Sequence, residues 1–240
     1  MSNQPAGSPP PGSVAEVIDR MQQIEGGLDP RDGVACFNRM YLMFTERVQQ
    51  SFTEGFFSDT AFVEHFDVVF AGIYFAAVDT AAAGKRPDPS WRPLFDARSN
   101  RVVWPIQFAL AGMNAHINHD LALAMVATCE QRATTPGTPP IHADFLKVNK
   151  LLADAEAEVR RSFETQLLRM GTAPVEPLVH IVSSFSIARA RDGAWTNTEL
   201  LWPQRNMPLL CDAWVAANAR SVGLAGRLLV TPVIPPPPDP

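Results

Sequence analysis

The chain has few cysteines, no long basic run and none of the glycine-rich motifs that mark common catalytic sites. Its three cysteines, Cys36, Cys129 and Cys211, are far apart and odd in number, which argues against a disulfide framework and indicates a reducing, cytoplasmic compartment. Lys and Arg form no cluster and the net charge is −5, so a nucleic-acid partner is not expected. A phosphate-binding glycine loop and a G-x-S-x-G motif are both missing from the sequence, which disfavours P-loop enzymes and nucleophile-elbow hydrolases.

The strongly apolar runs are also too short for a membrane span. The run "VVFAGIYFAAV" covers only residues 68–78, whereas a transmembrane helix needs about 20 apolar residues. Heptad repeats are not sustained, so a large coiled-coil assembly is not expected. The sequence therefore predicts a monomer or homodimer that does not bind a membrane. The expected ligand of the protein is a small molecule.

What the sequence does contain is helical periodicity. Of its 240 residues, 46% are hydrophobic, and apolar positions recur every three or four residues through most of the chain. We expect an all-α fold, a single-domain helical bundle of about seven or eight helices over residues 13–230. Residues 1–12 are predicted to be a disordered tail and residues 231–240 a Pro-rich tail. The segments 85–100 and 191–206 are predicted to be loops.

One helical segment carries an unusual set of polar residues. The stretch "GMNAHINHDLALA" (112–124) lies inside an apolar run that starts at Val102 and ends near Ala127. Burying so many polar side chains costs several kcal/mol unless they are paired, so a site is the default hypothesis here. The polar residues are Asn114, His116, Asn118, His119 and Asp120.

The spacing of an ideal helix divides these residues between two faces. At about 100° per residue, His116, His119 and Asp120 share one side of the helix. Asn114 and Asn118 are four residues apart and lie on nearly the opposite side.

Two functions, each with its own set of side chains, are compatible with these polar residues. In a metal-assisted, hydrolase-like enzyme, His116 and Asp120 would ligate one divalent ion such as Zn or Fe, with Asp67 or His119 as the base. In a cofactor-free cyclase, isomerase or binder, Asn114, His116 and Asp67 would orient or protonate a small apolar metabolite in an inter-helix cavity. Mutual hydrogen bonding within a buried core is the alternative for each residue.

Three further residues complete the candidate site. Asp67 has mainly apolar helical neighbours, so its pKa should be raised, which suits a general acid or base. Tyr74 lies further along the same helix and is either a hydrogen-bond partner of Asp67 or a core aromatic residue. Tyr74, Asn118 and Asp144 are candidate ligand-binding residues, although Asp144 can equally stabilise a helix N-terminus.

Several segments together resemble a known family. They are "FNRMYLMFTERV", "FFSDTAFVEHFDVVFAGIYFAAVD", "WPIQFALAGMNAHINHDLALA" and "DFLKVNKLL". The chain resembles the bacterial domain-of-unknown-function family numbered 5995 over most of residues 34–227, and "AGMNAHINHDL" is the most specific part. The resemblance implies a small helical soluble protein from bacteria rich in secondary metabolites, and it implies no established activity.

Overall fold

The computed structural model describes residues 10–53, 55–168, 176–233 and 236, and the described residues form helices and connecting loops without strands. The helices are α1 (Val14–Gly26), α2 (Gly33–Phe52), α3 (Thr60–Ala82), α4 (Arg92–Ala97), α5 (Pro105–Ala115), α6 (Leu121–Gln131), α7 (Ile141–Leu168), α8 (Glu176–Ser184), α9 (Ile187–Leu201) and α10 (Pro208–Leu229). A π turn, His116–Asp120, joins α5 and α6 into one continuous helix. The protein is therefore a single all-α domain, as the sequence predicts.

Local sequence signals explain where these helices begin and end. The Ser13 hydroxyl accepts a hydrogen bond from the Glu16 N–H at 3.3 Å and caps α1. The Asp59 carboxylate caps α3 in the same way. Gly84, just beyond α3, has a φ of +71°, a left-handed conformation that glycine adopts without steric cost. Pro105 is the first residue of α5, where its missing N–H needs no partner.

The continuous helix α5–α6 lies at the centre of the bundle. It packs against α2, α3, α9 and α10, and every residue of α5 after Pro105 is buried. The Gln107 side chain donates hydrogen bonds to the carbonyls of Leu229 at 2.7 Å and Thr231 at 2.8 Å. These bonds attach the end of α10 and the start of the predicted C-terminal tail to the central helix.

Two predicted loops are partly helical. The predicted loop 85–100 contains α4, and most of the predicted loop 191–206 belongs to α9 and the short 3₁₀ turn that follows it. Most of the predicted tails, 1–12 and 231–240, lies outside the described residues, and the parts that are described have no helix.

One of the described helices, α3, is long and apolar enough to cross a membrane by length and composition alone. Half of its most apolar window is buried inside the domain, where α3 packs against α1, α6 and α7. A core helix of a globular domain has the same composition, so this feature does not indicate a membrane location.

Candidate functional site

The π turn in the middle of the central helix changes the directions of its side chains. The Leu121 N–H bonds to the carbonyl of His116, five residues earlier. The ideal spacing of 3.6 residues per turn therefore does not hold between His116 and Asp120, and the ring nitrogens of His119 contact Asn218 and Asp88. Turns of this kind are rare and are frequently found at functional sites.

A buried chain of three side chains starts from this turn. The His116 Nδ1 lies 3.2 Å from the Asp120 Oδ2, and the Trp91 indole N–H donates to the same oxygen at 3.0 Å. All three residues are buried. Trp91 immediately precedes α4, so the segment between α3 and α5 supplies the group that holds the carboxyl in place. The imidazole is thus fixed through one nitrogen and its second nitrogen is left for another partner.

Aromatic rings surround the His116 imidazole. The Phe70 ring stacks on it with the centroids 3.5 Å apart and an interplanar angle of 8°, and the Tyr41 ring approaches it edge-on at 4.4 Å. Burial lowers the pKa of His116 well below its ordinary value, so the imidazole is neutral at neutral pH. Burial likewise raises the pKa of Asp120 well above that of an ordinary aspartate.

The shared proton of this pair determines the role of the free nitrogen. When the proton is on His116 Nδ1, Nε2 is a base that accepts a proton. Once Nε2 has accepted a proton from a bound molecule, the Nδ1 proton can pass to Asp120, and Nε2–H is then a donor. The uptake of one proton at Nε2 therefore converts the general base into a general acid, and its release restores the base.

His116 lines a largely apolar cavity between five helices. The cavity holds about 570 Å³ of space, its opening to solvent included. The lining residues are Tyr41, Phe44, Thr45 and Val48 from α2, Val63, Phe66, Asp67 and Phe70 from α3, Met113, His116 and Ile117 from the central helix, Val148 and Leu152 from α7, and Arg191 from α9. A concave apolar surface with a few polar groups is typical of a small-molecule site.

Three polar atoms of the cavity lining are buried and have no hydrogen-bond partner among the described residues. They are the Tyr41 hydroxyl oxygen, Asp67 Oδ2 and His116 Nε2. Buried polar atoms are nearly always hydrogen-bonded, because an unpaired one costs about 1–3 kcal/mol. Three such atoms on one cavity make it the candidate ligand site of the described structure.

The two charged side chains of the cavity influence each other. Burial raises the pKa of Asp67 to about 7, against a smaller opposing effect of the Arg191 guanidinium. Arg191 is held by hydrogen bonds from its Nε to Asn149 Oδ1 at 2.6 Å and from a terminal nitrogen to the Phe145 carbonyl at 2.9 Å. Burial lowers its pKa to about 10, so Arg191 remains charged while Asp67 titrates.

Replacing Asp67 by asparagine should remove part of the pH dependence of stability. The pKa of Asp67 is about 7 when folded and its ordinary value is 3.8, so between these values the folded state holds a proton that the unfolded state has lost. Raising the pH through this window therefore destabilises the wild-type protein. At pH 8, Asp67→Asn should be up to about 4 kcal/mol more stable than wild type, and near pH 4 the two should agree.

Urea unfolding at several pH values measures this difference. The exposed residue Asp212 supplies the control Asp212→Asn, for which we expect a constant difference from wild type. Parallel curves for Asp67→Asn and wild type would show that Asp67 ionises normally.

Three of the predicted site residues lie away from the cavity lining and attach α10. The Asn114 amide donates to the Val222 carbonyl at 3.0 Å, and Asn118 donates to Asn114 Oδ1 at 3.1 Å. His119 Nδ1 lies 2.8 Å from Asn218 Oδ1. These contacts satisfy the side chains through the fold, so a catalytic role for Asn114 and His119 gains no support from the geometry.

Two further predicted residues have structural partners. The Tyr74 hydroxyl donates to Asn38 Oδ1 at 3.1 Å, so its partner is not Asp67. The Asp144 carboxylate accepts hydrogen bonds from the N–H groups of Ser58 and Asp59. Asp144 thus fixes the start of α3 against α7, an interaction that the attraction between a carboxylate and a helix N-terminus favours.

The predicted metal site requires His116 and Asp120 to bind one ion together. His116 and Asp120 bond to each other, so chelation of one ion by both would break that contact. In the part of the chain that the structure describes, three His, Cys, Asp or Glu side chains do not come together in a group suited to a metal ion. The ion on His116 and Asp120 stays a prediction from the sequence.

The sequence did not identify Tyr41 and Trp91 as site residues. Tyr41 was indistinguishable from a core residue of the α2 stripe, and Trp91 lies in a segment without periodicity. Arg191 did leave a signal, because it is four residues from both Ile187 and Trp195, which are buried on one stripe of α9. A charged residue on an apolar stripe indicates a buried role.

The comparisons with known proteins identify the family alone. The chain gave no match among curated proteins or solved structures. The family model described as "Family of unknown function (DUF5995)" matches residues 14–232, which include every helix and the whole cavity lining. The protein therefore belongs to the family of unknown function numbered 5995.

Proposed function

We propose that the protein is a cofactor-free enzyme that transfers a proton to or from a small, largely apolar molecule bound in the cavity, as isomerases and cyclases do. The observation that carries the proposal is the hydrogen bonding of the two ring nitrogens of His116. Its Nε2 is buried without a partner on the cavity wall, while its Nδ1 is held by Asp120. A neutral imidazole fixed by a carboxyl group is a common arrangement for a general base.

The other unpaired groups supply what such a reaction needs. When His116 Nε2 removes a proton from carbon next to a carbonyl group, the electron pair of the broken C–H bond forms an enolate. The carbonyl oxygen then gains negative charge, which a buried hydrogen-bond donor stabilises. Burial, with smaller effects of the Asp67 and Asp120 charges, raises the pKa of Tyr41 well above its ordinary value. Its hydroxyl therefore remains a donor at neutral pH.

Solvent exchange into a ketone tests proton transfer directly. The bicyclic aryl ketone α-tetralone has exchangeable protons beside its carbonyl, and their replacement in D2O is followed by proton NMR. We expect the wild-type protein to accelerate exchange and His116→Gln to lower the rate by about 100-fold or more. The loss follows because glutamine has no basic nitrogen.

His119→Gln is the matched control for this experiment. His119 is a buried histidine of the same turn, but it bonds to Asn218 and does not line the cavity. We expect this variant to exchange at the wild-type rate. Equal rates for wild type and His116→Gln would contradict the proposed role of His116.

A further inference from the structure

The shape of the cavity wall favours a flat ligand. The rings of Phe66, Phe70 and His116 have nearly parallel planes, with interplanar angles of 3° and 8° between successive rings. Tyr41 meets both Phe70 and His116 edge-on, at 67° and 63°. A planar aromatic molecule can stack on parallel rings and meet a perpendicular ring edge-on, which are the two favoured aromatic geometries.

The unpaired polar atoms of this wall favour a ligand with more than one oxygen. The Tyr41 hydroxyl, His116 Nε2 and Asp67 Oδ2 all lack partners within the described residues. Tyr41 and His116 are only 5% and 1% exposed, so water from outside does not reach them freely. A phenol hydroxyl both donates and accepts, and a ketone oxygen accepts, so such groups match these atoms.

The charges that face the cavity favour an uncharged ligand. Above pH 7 Asp67 is mostly ionised and opposes the positive charge of Arg191, while His116 and Tyr41 are neutral. Two of the three Arg191 nitrogens are already bonded to Asn149 and Phe145. Neither a carboxylate nor an ammonium group would therefore find an uncompensated opposite charge, and each would lose its hydration on entering.

We infer that the cavity binds an uncharged, planar aromatic molecule of one or two rings that carries at least two oxygen substituents, of the phenol or enolisable aryl ketone class. The inference rests on the proposed function only in assigning this molecule as the substrate, because binding itself requires no reaction.

Isothermal titration calorimetry with four compounds that share the naphthalene ring system tests the inference. They are 2,7-dihydroxynaphthalene, naphthalene, 2-naphthoate and 2-naphthylmethylammonium. We expect the dihydroxy compound to bind the wild-type protein at least tenfold more tightly than each of the other three. Tightest binding of the ammonium or the carboxylate, or no binding of the dihydroxy compound, would overturn the inference.

Variants of the unpaired groups show whether binding occurs at this wall. Tyr41→Phe and Asp67→Asn should each weaken binding of 2,7-dihydroxynaphthalene by about 3- to 10-fold, the size of one lost hydrogen bond. Neither change creates a large cavity, and their folding is checked by circular dichroism. His119→Gln should bind like wild type. Unchanged affinity in both Tyr41→Phe and Asp67→Asn would place the ligand elsewhere and overturn the inference.

The outcome separates this inference from the proposed function. Binding of 2,7-dihydroxynaphthalene without ketone exchange would support the ligand class and contradict the enzyme. Exchange of α-tetralone without binding of the dihydroxy compound would support the enzyme and contradict the requirement for two oxygen substituents.

Discussion

Gly112→Ala is expected to lower the free energy of unfolding by about 2–3 kcal/mol, although alanine is the better helix former. A β-carbon at Gly112 would overlap Phe37 Cγ and Cδ2 and lie 2.7 Å from Phe37 Cβ. Phe37 is fully buried, and its ring is in edge contact with Tyr74, Trp91 and His116. The ring therefore has no space into which it can move without displacing the site.

Gly72→Ala is the control for this prediction. Gly72 lies on α3, and a β-carbon there would have no neighbour within 4 Å. The expected change is a gain of up to about 1 kcal/mol, from helix propensity alone. Guanidinium unfolding followed by far-ultraviolet circular dichroism measures both variants. A stability gain in both would show that the close approach of α2 and α5 is not tight.

The helical architecture was predictable because apolar residues recur at helical spacing through most of the chain. In α3 the ends are also encoded locally, since the Asp59 carboxylate caps its start and Gly84 has a positive φ just beyond its end. The prediction of a loop over residues 191–206 was wrong, because α9 continues to Leu201. In the structure the Ser186 hydroxyl accepts a hydrogen bond from the Arg189 N–H at 3.4 Å and caps the start of α9. Gly193 lies within this helix.

The composition of the candidate site was only partly predictable. The polar stretch 112–124 indicated the right segment, and the four-residue spacing of His116 and Asp120 indicated their contact. The π turn could not be foreseen from an ideal period, and neither could the contacts of His119 with Asn218 and Asp88. Trp91 reaches Asp120 from 29 residues away in sequence, and such tertiary contacts leave no trace in local spacing.

His116→Leu should be the most damaging substitution in the cavity, with a loss of about 3 kcal/mol in the free energy of unfolding. Leucine fills a similar volume, but it leaves Asp120 with the Trp91 indole as its one hydrogen-bond partner among the described residues. Removing one partner so that a buried hydrogen-bonding group is left unsatisfied typically costs about 1–3 kcal/mol, and more where that group is charged. Chemical unfolding with a common m value measures the loss.

A double-mutant cycle shows whether this loss arises from the pair. In Asp120→Asn the amide oxygen can still accept the Trp91 N–H, so we expect a cost of about 1 kcal/mol. In the double variant the isolated carboxyl group is gone, and the total loss should fall short of the sum by about 1–2 kcal/mol. Simple additivity would mean that His116 and Asp120 act independently. The 3.2 Å contact between them would then contribute nothing to stability, and the imidazole would have no fixed proton partner from which to act as a base.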